Sequence, residues 1–123
     1  MPLLTLITNV KLEDAQVRPF VSEFSKKASE VIGKPEAEFS VDFTYNPYLT
    51  FGGTFEPAIR LHVMSLWNTN AENSVKWSKA FSEFFTEKLG VPNNRGHMSF
   101  IDPGDAFIGF KGTSVAALVA ASK

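Results

Sequence analysis

Residues 20–35 read FVSEFSKKASEVIGKP, and residues 77–92 read WSKAFSEFFTEKLGVP. Laid over each other at an offset of 57 without a gap, they put Phe24 on Phe81, Ser25 on Ser82, Glu30 on Glu87, Gly33 on Gly90 and Pro35 on Pro92. Phe20 meets Trp77, and Ile32 meets Leu89. In the first copy Val17, Phe20, Val21, Phe24, Ala28, Val31 and Ile32 recur at spacings of three and four, which gathers them into one apolar stripe on a helix. Trp77, Phe81, Phe84, Phe85 and Leu89 do the same in the second copy. Each stripe stops at a Gly followed two residues on by a Pro, because glycine takes the left-handed conformation that ends a helix and proline cannot continue one. Placement carries the alignment more than the number of identities does, since helix stops and core positions coincide in register.

The flanks of the two copies also match. Residues 3–10, LLTLITNV, are apolar on both faces, as in a strand buried from two sides. Their Leu4 falls on Leu61, inside a third strand over residues 58–67, AIRLHVMSLW. Phe39, Val41, Phe43 and Tyr45 alternate with Ser40, Asp42 and Thr44, giving a strand with one apolar and one polar face that Asn46 and Pro47 end. Phe43 falls on Phe100 in a last strand over residues 98–101, and a Gly-punctuated tail carrying Phe107, Ile108 and Phe110 follows. The chain reads as β-α-β twice, an α/β (α+β) arrangement. Residues 1–123 form a single domain of two halves, about 1–57 and 58–123, with parallel strands inside each unit and both helices on one face of a four-stranded sheet. Phe43 and Phe100 turn toward the helices, so Ser40, Asp42, His97 and Ser99 turn away from them. Leu3 and Ile7 make bare solvent a poor partner for that second face, which predicts self-association through it.

Composition narrows the chemistry. The 123 residues are 44% apolar, carry a net charge of −1 and include no cysteine. The missing cysteines exclude disulfides, thiolate metal sites, Cys nucleophiles and CxxC redox chemistry. Balanced charge argues against nucleic acid or an anionic membrane as partner. No apolar run approaches ~18 residues and no signal sequence opens the chain, so the cytosol is the expected compartment. Histidine occurs only at 62 and 97; His62, inside an apolar strand, reads as structural. The glycines form neither a GxGxxG motif nor a P-loop.

The terminus stands out. Met1-Pro2 leads straight into a buried strand, whereas chain ends are commonly loose. Removal of Met1 would leave Pro2 as a secondary amine. An ordinary α-amino group has a pKa of about 7.7–8.0, and an apolar wall or a nearby cation lowers it, favouring the neutral base. Lys34, just past the Gly33 stop, is a candidate cation; it reads equally well as a lysine complementing a helix C-terminus.

Taken together, PLLTLITNV at the N-terminus, the GKP of residues 33–35, the FGGTFEPA of residues 51–58 and the duplicated β-α-β pattern resemble the macrophage migration inhibitory factor family of the tautomerase superfamily, over nearly the whole chain. The resemblance implies a homotrimer whose sheets form a central barrel, with active sites between subunits and neither metal nor cofactor. It implies that Met1 is removed, that Pro2 is the catalytic base and acid, and that Lys34 binds the carboxylate of a small aromatic α-keto acid such as phenylpyruvate. By the same resemblance Ser65 and Leu66 take the family's serine and aliphatic positions, and Ile108 and Phe110 form the apolar pocket wall. His97 and Ser99 stand where vertebrate members carry Tyr and Asn from the neighbouring subunit. Trp67 stands at a small-residue position, and Glu38 replaces a pocket aromatic. Ala58 and Leu61 replace the CxxC of vertebrate members, which removes the family's proposed thiol-oxidoreductase role.

The resemblance also implies a second reading: a cytokine-like signalling protein with weak or vestigial tautomerase activity, a protein receptor as partner and export without a signal peptide. An RNA-binding sheet shares the β-α-β-β-α-β order. It fails because RLHVMSLW lacks the basic and aromatic pattern such a strand needs.

Overall fold

In the computed structural model, which describes residues 1–123, four strands form one sheet: β1 (Leu3–Thr8), β2 (Ser40–Tyr45), β3 (Ile59–Met64) and β4 (Gly96–Ile101), in the order β2-β1-β3-β4. Helix α1 (Asp14–Ile32) connects β1 to β2, and α2 (Ala71–Leu89) connects β3 to β4. Both parallel pairs join residues 37 apart, Leu3 with Ser40 and Ile59 with Gly96, so the two halves are built to one register. The halves meet where β1 and β3 run antiparallel. There Thr5 pairs with His62, the residue 57 positions on, and a pseudo-twofold axis relating the halves passes through that pair.

Alternation along the strands sends Leu4, Leu6, Leu61 and Val63 under the helices. They meet Phe20, Phe24, Ala28 and Ile32 of α1 and Trp77, Phe81, Phe84, Phe85 and Leu89 of α2 in one core. Phe24 sits at its centre, fully buried, with the ring centroids of Phe81, Phe84 and Phe85 at 6.0, 5.9 and 5.4 Å. These separations suit edge-to-face and offset packing. The other face of the sheet is uncovered. Its three rows read Ser40-Leu3-Met64-Ile101, Asp42-Thr5-His62-Ser99 and Thr44-Ile7-Arg60-His97. No helix is long and apolar enough to cross a membrane.

Several boundaries differ from the sequence reading. Both helices begin three or more residues before their apolar stripes. At α2 the side chain of Asn70 accepts the Asn73 N–H at 2.8 Å, and at α1 the side chain of Gln16 accepts the Glu13 N–H at 3.0 Å. These local bonds satisfy helix-end groups, so polar residues can form the first turns. β3 stops at Met64, three residues early, because the chain turns through a left-handed Trp67 with φ 72°. β4 starts two residues early, at Gly96. His62 is exposed on the uncovered face, not enclosed in an apolar strand; its Nδ1 is hydrogen-bonded to the Ser99 hydroxyl. The tail is ordered as well. β5 (Gly109–Phe110) and β6 (Thr113–Ser114) form a hairpin about Lys111 and Gly112, whose φ values of 54° and 76° match a type I′ turn. Ser114 then caps α3 (Val115–Ala121) by accepting the Ala117 N–H at 3.1 Å.

Candidate active site

Pro2 heads β1 and is fully buried, and its carbonyl accepts the Ser40 N–H at 3.1 Å. This bond extends the β1–β2 ladder and fixes the N-terminus against the sheet. Met1 packs on a small apolar cluster of Leu66, Ile108 and Val115, with Met64 and Val119 at its edge. The amine of Met1 is pushed below its ordinary value of 8.0, first by burial and then by the charge of Lys34, while Glu38 and Asp102 act in the opposite direction.

Lys34 reaches this place because Gly33 ends α1 at φ 79°, and because the Ser29 hydroxyl donates to the Lys34 carbonyl at 2.6 Å. Its Nζ donates to Ser65 Oγ at 3.0 Å and to the Leu66 carbonyl. The buried Ser65 hydroxyl donates in turn to Asn68 Oδ1 at 2.6 Å, and Asn68 Nδ2 donates to the Ile32 carbonyl at 3.1 Å. The lysine is thereby held between the end of α1 and the turn after β3. Burial lowers its pKa from 10.5, against a smaller upward pull from Glu38 and Asp102.

A cleft of about 340 Å³ opens beside Met1, walled by Leu3, Phe39, Ile108 and Phe110, with the Glu38 carboxylate at its lining. A larger groove of about 520 Å³ lies between α2 and β4, among Ser78, Lys79, Ser82, Glu83 and His97. Met98 is its single apolar residue, and the groove is far more open. The cleft at the N-terminus has the apolar walls and convergent charged groups that a small-molecule site needs, so we take it as the candidate.

The sequence-derived positions divide into two groups. Pro2, Lys34, Ser65, Leu66 and Ile108 come together at the N-terminus, and the exposed Phe110 joins them from the hairpin. His97 and Ser99 lie elsewhere in the same chain. His97 pairs with Arg60, whose other neighbour is Ile7 near the far end of β1, and its ring lies 5.3 Å from Phe51. Ser99 pairs with His62 in the middle row. Any site combining them with Pro2 needs a second copy of the chain.

The profile of the macrophage migration inhibitory factor (MIF) family matches residues 1–116. The chain belongs to the MIF family. A MIF homolog of Trichuris trichiura is 32% identical over 114 residues, which cover 93% of this chain and 99% of the relative. The solved MIF structure from Trichinella spiralis superposes with a TM-score of 0.82 at 26% identity, covering 91% of this chain and 98% of that one. A MIF homologue from Prochlorococcus marinus gives 0.83 at 24% identity, with 92% and 98% covered.

The MIF match ends inside α3, so the last turns of that helix lie beyond the family profile. Three residues at the candidate site escape a linear reading. Val115 joins the apolar cluster, Asn68 holds Ser65, and Asp102 accepts the Trp67 N–H at 2.8 Å and the Gly104 N–H at 2.8 Å. Those two bonds hold the Asp102 carboxyl below its ordinary pKa. Asp-Pro-Gly at 102–104 is a turn signature, the one signal that could have drawn attention to Asp102.

Proposed function

We propose that this MIF-family chain is a keto–enol tautomerase for phenylpyruvate-like α-keto acids, working as a homotrimer after removal of Met1. The observation that supports this reading is an N-terminal amine beside an apolar cleft with the Lys34 ammonium close enough to act on it, the pKa of each lowered first by burial. Without Met1 the amine moves inward to Pro2, whose side chain is buried while Met1 is in place. Burial and the lysine charge then favour its neutral form at pH 7.

The neutral Pro2 nitrogen takes the proton from the carbon next to the substrate carbonyl. The C–H electron pair becomes the new C=C bond, and the carbonyl π pair moves to oxygen, which takes the proton from the Pro2 ammonium to give the enol and returns Pro2 to its neutral form. The reverse sequence ketonises the enol. Lys34 binds the substrate carboxylate and holds the reacting carbon near Pro2, with Ser65 and Leu66 fixing the ammonium. Ile108 and Phe110 face the aromatic part. His97 and Ser99 of a neighbouring subunit hydrogen-bond the substrate from the other side. The protein works in the cytosol and is exported from cells.

The test is ketonisation of phenylpyruvate by the wild type and by Pro2→Gly, after intact mass has shown that Met1 is absent from both. Losing the ring amine while keeping a primary amine is expected to lower kcat/KM on the order of 100-fold. Equal rates would exclude the proline mechanism.

A further inference from the structure

Trp67 is an unusual residue for its position. Its φ of 72° lies in the left-handed region, where a bulky side chain costs roughly 1–2 kcal/mol that a glycine would not. Its side chain gains little in return from burial, being 62% exposed. Two contacts hold it nonetheless. Its N–H donates to Asp102, and its indole ring centroid lies 5.6 Å from Lys34 Nζ, within range for a cation–π contact. An exposed aromatic ring is therefore fixed beside the ammonium whose remaining hydrogen-bonding capacity faces away from Ser65 and Leu66.

We propose that Trp67 is a specificity-determining residue: its indole is the wall on which a planar aryl carboxylate lies once its carboxylate sits on Lys34. The inference rests on the reading of Lys34 as a carboxylate anchor. A carboxylate oxygen hydrogen-bonded to Nζ lies about 2.8 Å from it, which brings the attached carbon skeleton within van der Waals reach of the ring. A flat conjugated or aryl skeleton gains a stacking contact there; a short aliphatic chain gains far less.

Two tryptophans give two indole N–H signals in a nitrogen-15 spectrum, and Trp67→Phe assigns them. Phenylacetate is expected to shift the Trp67 signal and leave that of the buried Trp77 in place, whereas propionate at equal occupancy moves neither. Trp67→Gly should weaken phenylacetate binding about fivefold, equivalent to ~1 kcal/mol, and leave propionate binding unchanged. Trp67→Phe should restore most of the difference. Glycine relaxes the backbone at this φ, so an unchanged or raised Tm will show that the variant is folded. A Trp67 signal unmoved by saturating phenylacetate, or equal weakening of both ligands, would overturn the proposal. Stacking present in a protein without tautomerase activity would sink the proton-transfer reading and leave the Trp67 assignment standing. Phenylacetate binding undiminished in Lys34→Ala would remove the anchor, and the assignment with it.

Discussion

Two positive groups share the candidate site, and each bears on when the other is charged. Catalysis as proposed needs the amine neutral and Lys34 protonated. kcat/KM should therefore rise with pH through the amine pKa and fall as pH passes through the lysine pKa. Burial lowers Lys34 and the terminal amine at Met1, and an amine on Pro2 sits one residue further in beside the same lysine, so both limbs are expected below the ordinary values of 8.0 and 10.5. Glu38 pulls both groups upward. Glu38→Gln should therefore move both limbs to lower pH, by on the order of a few tenths of a unit since an exposed carboxylate is screened by solvent. Activity then gains on the acid side and loses on the alkaline side. A pH–rate profile with either limb unmoved or shifted upward would show that Glu38 does not act on that group. At this scale Pro2 and Lys34 stand out in the sequence by the chain start and the helix stop, whereas Ser65 and Leu66 enter only through the family resemblance. The left-handed turn at Trp67 and its bond to Asp102 are set by a turn 35 residues away, and no local pattern carries that.

The glycines that bound the elements act by different physics. Gly33 faces open space, and its need for glycine comes from φ 79° alone. Gly96 has no such φ, but a Cβ there would lie 2.1 Å from the Ile59 carbonyl oxygen, far closer than the two atoms can pack, with the Ile59 side chain also in the way. Gly33→Ala is expected to cost about 1 kcal/mol, while Gly96→Ala forces β4 away from β3 and is expected to cost about 3 kcal/mol. In thermal unfolding, falls in Tm of roughly 3 °C and 10 °C follow. Equal falls would show that the close approach of β4 to β3 is relieved cheaply. The same contact explains a boundary that the sequence reading placed too late. Glycine is a poor strand former by propensity, but here the missing side chain lets the edge strand begin two residues earlier. α1, α2 and all four long strands are legible because the pattern of each half repeats at the offset of 57, β4 with its start placed two residues late. α3 has no repeat mate and only seven residues, which is too short for periodicity to speak.

At the scale of the molecule, the uncovered sheet face and the position of His97 pose one question. Leu3, Met64 and Ile101 form an apolar row there, and Leu3 and Ile101 are 37% and 53% exposed in the single chain. β2 and β4 are free edges. If three copies close on this face, each active site takes Lys34 from one subunit and His97 from its neighbour. Lys34→Ala alone spoils the anchor in every site, and His97→Ala alone spoils the contribution from the neighbour, so each homotrimer should be nearly inactive. Co-expression of the two variants changes the count. A site is whole when the subunit supplying Lys34 is the His97→Ala variant and its neighbour is the Lys34→Ala variant. Random assembly at equal amounts makes about a quarter of the sites whole, and about a quarter of wild-type activity should return. Mixing the two purified homotrimers without subunit exchange restores nothing, because no site gains a missing group. If the co-expressed mixture is as inactive as its parents while pull-down through a tag on one variant brings the other with it, Lys34 and His97 do not serve one site across a subunit boundary. His97 then belongs to the sheet face where this chain alone places it, beside Phe51 and Arg60.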